Sequence, residues 1–221
     1  MRVALIGYGK MGRAIERIAL TQDVEIVGRF DEPFADSKAL RDAEVAIEFS
    51  VPEAVVANIE ACSRAGIPVV CGTTGWYDQL GAASRAVNDN QTALVYGSNF
   101  SIGVALFRRL VAKAAAEFSS HSEYEAWAYE MHHSAKLDAP SGTLLTLVED
   151  MRTAGYSDAV NISSARVGKV PGTHTIGFDS TADTITLTHT ARNRDGFATG
   201  ALHAARWIIG KSGVYEFADT L

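Results

Sequence analysis

Through the first hundred positions, short apolar runs alternate with stretches in which apolar residues return every three or four positions. The run Val3–Ile6 gives way to Met11, Ala14, Ile15 and Ile18 at helical spacing. A second run, "VEIVGRF", ends at Asp31. A third, Glu44–Ser50, precedes a helical stretch with Pro52 in its first turn, where the missing N–H costs nothing. "PVVCGTTGW" predicts a fourth strand, "YDQLGAASRAVND" a further helix, and "ALVYGSNFS" a fifth strand. Strands that alternate with helices imply a parallel sheet, whose ligands bind beyond the carboxyl ends of the strands. The loops Gly7–Gly12, Ser50–Pro52, Gly72–Gly75 and Gly97–Phe100 are therefore expected to line one crevice.

From Ser101 the pattern changes. A helix, "VALFRRLVAKAAAEF", leads to a strand, "YEAWAYEMHH", and then to a second helix carrying Leu144, Leu145, Val148 and Met151 on one stripe. Three short alternating segments follow, "AVNISSARVG", "THTIGFDS" and "DTITLTHTAR". In the last, Ile185, Leu187 and His189 share one face while Thr184, Thr186 and Thr188 share the other. "GFATGALHAARWIIGK" is again helical and is expected to pack back on the first domain. The expected class is thus α/β: a Rossmann-type parallel sheet formed by residues 1–100 and 195–221, with an inserted α+β domain at 101–194 for substrate binding and oligomerisation.

Composition narrows the function. The 221 residues are 47% hydrophobic and 21% charged, ample for a core and unlike a disordered chain. A net charge of −6 without a basic stripe argues against a nucleic-acid partner. Cys62 and Cys71 fit no metal spacing, and two lone thiols suit a reducing cytoplasm. The first residues lack the long apolar region of a signal peptide, and no run approaches the ~18 apolar residues of a membrane span.

Two passages carry chemistry. The first is Gly7, Gly9 and Gly12 in G-x-G-x-x-G spacing, after a strand and before a helix. Asp31 follows Gly12 by 19 positions, near the ~20 at which an acid meets the adenosine ribose. Alone, the glycines could be an ordinary strand–turn–helix link. Strand, glycines, helix and distal acid together point to a dinucleotide, with its pyrophosphate at the helix N-terminus.

The second passage is "EMHHSAKLDAPSGT", Glu130–Thr143. Ser141 is placed to cap a helix whose first N–H groups, at Gly142 and Thr143, are orphan donors. With the Ser141 and Thr143 hydroxyls they form a cradle for an anion of carboxylate size. His132 and His133 point to opposite faces of an extended chain, and Lys136 can reach back toward His132. An imidazole and an ammonium there can donate a proton or stabilise developing charge. Singly, each residue is more often polar filler, a solvated lysine or a simple cap. The cluster as a whole is not.

These residues resemble the 4-hydroxy-tetrahydrodipicolinate reductase (dihydrodipicolinate reductase) family of diaminopimelate and lysine biosynthesis. The likeness extends over "GYGKMG", "FSVPEA", "GTTG", "NFSIGV", "RVGKVPGTH" and "RDGFATGA". It implies that His132 is the acid/base residue and Lys136 its partner proton donor. It places His133, Lys136, Ser141, Gly142, Thr143, Thr74 and Arg194 on a small cyclic imino dicarboxylate. It gives the cofactor Gly7, Tyr8, Gly9, Lys10, Met11, Gly12, Asp31, Gly72, Thr73, Thr74, Gly97, Ser98, Asn99 and Phe100. No metal is expected, and the assembly is expected to be a homotetramer. Two departures from the family pattern are a short segment between Asp31 and Glu44 and the compact form of the glycine loop. Alternatives from other classes are a dehydrogenase of another small amino or imino dicarboxylate, and a non-catalytic dinucleotide sensor. The complete His-His-Lys set argues against the sensor.

Asp31 would accept hydrogen bonds from the ribose hydroxyls, and Glu32 with Pro33 follow where the family often has an arginine. NADH is therefore the expected preference, with NADPH usable. Lys10 and Arg29 are the cations that could oppose it.

Overall fold

The computed structural model describes residues 1–31, 40 and 42–221. They divide into two compact units, Met1–Ile102 with Asp195–Leu221, and Gly103–Arg194. Among the described residues, no helix is long and apolar enough to cross a membrane.

The first unit is built on a six-stranded sheet. Its strands are β1 (Arg2–Ile6), β2 (Glu25–Phe30), β3 (Val45–Glu48), β4 (Val69–Cys71), β5 (Ala93–Tyr96) and β10 (Gly213–Glu216). They run in the order β10-β5-β4-β3-β1-β2, and every pair is parallel. The central strands β1 and β3 are apolar at almost every position because both faces are covered, and Val3, Leu5 and Val45 are fully buried. Each such side chain removed from water contributes ~1.5–3 kcal/mol. The helices are α1 (Lys10–Ala19), α2 (Pro52–Arg64), α3 (Leu80–Asp89) and α6 (Asp195–Ile208). α6 packs on α1 and on β3, β4 and β5. The tenth strand was not foreseen in the sequence. Gly213–Glu216 is four residues long, directly follows the helix turn, and gains strand character only by pairing with β5.

β1 lies between β2 and β3. The chain therefore leaves β1 to one side and returns on the other, and the loops after β1 and β3 part company there. This reversal opens a crevice at the carboxyl ends.

In the second unit, α4 (Ile102–Phe118, entering from the first unit) and α5 (Gly142–Thr153) accompany a sheet of order β7-β6-β8-β9. The strands are β6 (Glu125–His132), β7 (Asn161–Arg166), β8 (Thr173–Asp179) and β9 (Thr184–Thr190). β6 alternates strictly: Ala126, Ala128, Glu130 and His132 are buried, while Trp127, Tyr129 and Met131 are half-buried on the other face. The inward face has two halves. At one end Ala126, Ala128, Ile176 and Phe178 join Phe107, Leu144, Leu147 and Met151 in an apolar core. At the other end the inward positions are Glu130, His132, His174 and His189, with Arg166 opposite His132.

Candidate functional site

The crevice of the first unit begins at the glycine loop. Gly7 has φ +87°, a left-handed conformation that glycine adopts without strain. A Cβ on it would lie 2.1 Å from the Phe49 carbonyl oxygen, and one on Gly12 would lie 2.4 Å from the Gly7 carbonyl oxygen. A Cβ on Gly9 would meet nothing within 4 Å, so the middle of the loop faces open space. The loop thus packs tightly where strand and helix meet and is bare where α1 begins. A cavity of about 260 Å³ adjoins it, lined by Ile6, Gly7, Gly9, Phe30, Asp31, Phe49, Ser50, Val51, Ala54 and Asn58. The Tyr8 N–H donates to Asp31 Oδ1 at 2.6 Å, which fixes the strand-end carboxylate beside the loop. These features fit a dinucleotide: a backbone cradle at a helix N-terminus, open space, and an acid placed for ribose hydroxyls.

Phe49, which sequence reasoning missed, organises the neighbouring loops. A Cβ on Gly72 would sit 2.1 Å from its ring, and its ring meets that of Phe100 edge-on at 5.9 Å. Thr73 is buried, and its hydroxyl accepts the Ser50 N–H at 2.9 Å. Gly97 N–H donates to the Cys71 carbonyl, and Asn99 Oδ1 accepts the Ser101 N–H. Lys10, Thr74 and Ser98 are exposed, while Met11 is half-buried. Below the crevice Glu48 is fully buried. It accepts from Ser50 and Asn58, and from the Cys71 thiol at 3.2 Å. Burial, and then the Glu48 charge, push the Cys62 thiol up to about 12 and the Cys71 thiol well above its ordinary value. Both cysteines are free, buried and inert as nucleophiles.

The structure also gives Arg29 a direction. Its guanidinium pairs with Glu16 on α1 and lies 5.8 Å from the centre of the Tyr8 ring, and the Tyr8 hydroxyl donates to Glu16 as well. Glu16 is held below the usual carboxylate range by Arg29 and then by Tyr8.

The second unit carries the other passage. Ser141 caps α5, accepting the Leu144 N–H at 3.3 Å. Such a cap contributes ~1 kcal/mol. Gly142 and Thr143 form the first turn, and a Cβ on Gly142 would meet nothing within 4 Å. His132 is 8% exposed, on the inward face of β6, and His133 follows it, half-buried. Lys136 Nζ holds both oxygens of Asp138, at 2.7 and 2.9 Å. Lys136, and to a lesser degree the Gly142 backbone, keep Asp138 below its ordinary value. Arg194 is exposed, immediately before α6. Ser141, Gly142 and Thr143 are contiguous at the helix start, and Ser141 is joined to the β6 face through Glu130.

Glu130, Arg166 and His174 were not singled out in the sequence. Glu130 is fully buried. Its Oε2 lies 2.6 Å from His132 Nδ1, and its Oε1 accepts from Arg166 Nη2 at 2.8 Å and from the Ser141 N–H at 2.9 Å. His174 Nε2 is 3.2 Å from Ser141 Oγ, and its ring meets that of His132 edge-on at 5.1 Å. Burial raises Glu130, but hydrogen bonds from Ser141, Arg166 and Ser164 prevail and hold it at about 2. Burial pushes His174 down to about 4, with the neighbouring His132 adding to the effect, so it is neutral near pH 7. His132 is also lowered, chiefly by burial and secondarily by Lys136 and Arg166, against the pull of Glu130. Ligand atoms of Glu130, His132 and His174 fall within 4.8 Å of one another. The Arg166 guanidinium already supplies the positive charge at Glu130, so the group reads as a proton-handling cluster. Its inward position could have flagged Glu130: in a strand alternating buried alanines with half-buried aromatics, it falls on the alanine side.

Comparison with known proteins agrees with both halves. The family model "Dihydrodipicolinate reductase, N-terminus" matches residues 1–100, and "Dihydrodipicolinate reductase, C-terminus" matches residues 103–221. A 4-hydroxy-tetrahydrodipicolinate reductase from Christiangramia forsetii is 40% identical, covering 100% of this chain and 98% of its own length. One from Xanthomonas euvesicatoria is 38% identical over 96% of this chain and 93% of its own. Among solved structures, a dipicolinate-bound dihydrodipicolinate reductase from Paenisporosarcina sp. TG-14 superposes with a TM-score of 0.87 at 23% identity. It covers 100% of this chain and 99% of that one, and shares the fold. With both family models matched end to end and close relatives aligned over the full length, the chain belongs to the dihydrodipicolinate reductase family.

Proposed function

We propose that this chain is a 4-hydroxy-tetrahydrodipicolinate reductase. It converts the cyclic hydroxy dicarboxylate, with one hydride and one proton, to tetrahydrodipicolinate and water. A reduced nicotinamide dinucleotide supplies the hydride when bound; Gly7–Gly12 and Asp31 would hold it, with Gly72–Thr74 and Gly97–Phe100 nearby. His132 delivers the proton to the oxygen or nitrogen that gains charge, and Lys136 assists. Ser141, Gly142 and Thr143 hold a substrate carboxylate at the start of α5, with His133 beside them, and Thr74 and Arg194 complete the substrate contacts. The observation that carries this reading is the cluster of the second unit, where a nearly buried imidazole backed by a carboxylate is joined to a helix N-terminus suited to an anion. A binding-only protein has no use for such a proton donor. The test is oxidation of NADH or NADPH by the purified protein with freshly condensed pyruvate and aspartate semialdehyde. A folded protein that oxidises neither would sink the proposal.

The cofactor preference is proposed to be NADH, with NADPH accepted. Supporting it, Asp31 stands fixed at the loop and would oppose a ribose phosphate, while Arg29 is engaged by Glu16. Lys10, exposed at the start of α1, favours some use of NADPH. Glu32 and Pro33 lie outside the described residues. A homotetramer is supported by the outward face of the four-stranded sheet, where Trp127, Tyr129 and Met131 are half-buried beside threonine pairs. Two free buried thiols are consistent with a cytoplasmic protein.

A further inference from the structure

We infer that Glu130 is the positioning residue of this site: its one buried carboxylate holds the His132 ring through Nδ1 and, through its other oxygen, ties that ring to Ser141 at the head of α5, so that proton donor and anion cradle are held as one piece. The inference rests on the reading of His132 as the proton donor.

The geometry leaves each oxygen of Glu130 a distinct task. Oε2 is 2.6 Å from His132 Nδ1, a close ion-pair contact that is not aligned as a hydrogen bond and that a small turn of the ring would align, and Oε1 takes the Ser141 N–H and the Arg166 guanidinium. A ring nitrogen facing a carboxylate keeps its proton, which leaves Nε2 as the exchanging atom. Gly172 supports this assignment. A Cβ there would lie 2.9 Å from His132 Nε2, so a side chain at 172 would crowd the working nitrogen, and glycine leaves it room.

Charge points the same way. His132 is faced by Arg166 on β7, by His174 on β8 with His189 beyond it on β9, and by Lys136 and Asp138 on the loop before α5. Burial and the two cations disfavour an imidazolium, whereas Glu130 favours it. Without Glu130 the ring would lose its proton at lower pH.

The test is to titrate the His132 ring by NMR in histidine-labelled protein, with a chelator present and the resonance assigned by its loss in His132→Gln. Glu130→Gln keeps the shape and an acceptor oxygen but removes the charge. It should lower the His132 midpoint by about one unit. The alkaline limb of the kcat profile should move down with it, and kcat near neutral pH should fall about tenfold or more, while the KM for the nicotinamide changes little. Arg166→Gln removes an opposing cation and should move the midpoint up. Opposite movement is the expected result, since a general loosening of the fold would not produce it. If Glu130→Gln fails to fold, Glu130→Asp, which keeps the charge but withdraws it from the ring, decides by the same downward shift of the midpoint. A midpoint unmoved in these variants, or moved the same way in both, would overturn the inference. Wild-type turnover is scored separately: its absence overturns the proposed reaction, whereas an unmoved ring midpoint with turnover intact overturns only the role of Glu130.

Discussion

The backbone N–H of Tyr8 donates to the side chain of Asp31 at 2.6 Å, so the residue between the first two glycines of the loop clasps the acid at the end of β2. The same residue's ring lies 5.8 Å from the guanidinium carbon of Arg29 and, equally, from that of Arg13. One tyrosine therefore gathers a carboxylate and two cations at the edge of the dinucleotide crevice. Their balance is what a comparison of the two nicotinamide cofactors would probe.

Glu16 is the counter-ion that keeps Arg29 occupied. Glu16→Gln should release the guanidinium and raise the NADPH-to-NADH ratio of kcat/KM several-fold, up to about tenfold, the value of one charge-assisted contact. The two cofactors would be compared at fixed ionic strength. An unchanged ratio would mean that Arg29 does not reach the ribose, and would leave Lys10 as the cation to test.

His132→Gln and Lys136→Ala should each lower kcat by about 10²–10⁴-fold, the usual contribution of a positioned acid or base. Cofactor affinity, measured by fluorescence or calorimetry, should stay within about twofold, because Gly7–Gly12 and Asp31 belong to the other unit. Near-normal turnover in both variants would remove these residues from the chemistry.

The cradle at the head of α5 is tested with pyridine-2,6-dicarboxylate, a planar mimic of the ring with both carboxylates. It should compete with substrate, and Thr143→Val should weaken its inhibition about tenfold, as expected for a lost hydrogen bond to a charged group. Asp138 already holds Lys136 through both oxygens, so an incoming carboxylate must share or displace that contact. Asp138→Asn should therefore tighten the inhibitor. Weaker binding in Asp138→Asn would show that Asp138 orders the lysine and does not compete for it.

Acid stability follows from the buried cluster. Burial, with His132 adding to it, lowers His174 to about 4 in the folded protein, against 6.5 for the free group. Stability is therefore full above about pH 6.5 and declines as the pH falls toward 4, because the unfolded chain takes up the proton first. Glu130, at about 2 when folded, adds a second decline as the pH falls from about 4.5 to 2. Thermal unfolding followed across this range should show both, and His174→Gln should reduce the upper decline, to which the lowered His132 and His189 also contribute, while leaving the lower one in place. A pH-independent melting temperature between 6.5 and 4 would contradict the assignment.

Much of this was legible in the chain because local rules and the global fold agree. Short apolar runs alternating with helical stretches match the covered strands of a parallel sheet, and the spacing from Gly12 to Asp31 is what one βαβ unit requires. The unread parts depend on partners remote in sequence. β10 becomes a strand only against β5, more than a hundred residues away. Phe49 matters because Gly72 and Phe100 close on its ring. Glu130 needs Arg166 from β7 and His174 from β8 before its burial makes sense, and pairings of that range are not written in periodicity. Arg29 was visible as a cation near the site, but its direction was decided by Glu16 on a neighbouring helix.

On the outward face of the four-stranded sheet, Thr173 and Thr190, and again Thr175 and Thr188, bond hydroxyl to hydroxyl at 3.1 Å. In each pair one hydroxyl donates and the other accepts, so half of the donor demand is met within the sheet and one O–H is left for water or a covering surface. Water leaves such a surface at lower cost than it would leave unpaired hydroxyls, since one donor of each pair is already met. A sheet tiled this way is wettable while alone and dry when covered. A protein that must stay dispersed as it folds and then dock face to face can use both properties without changing a residue.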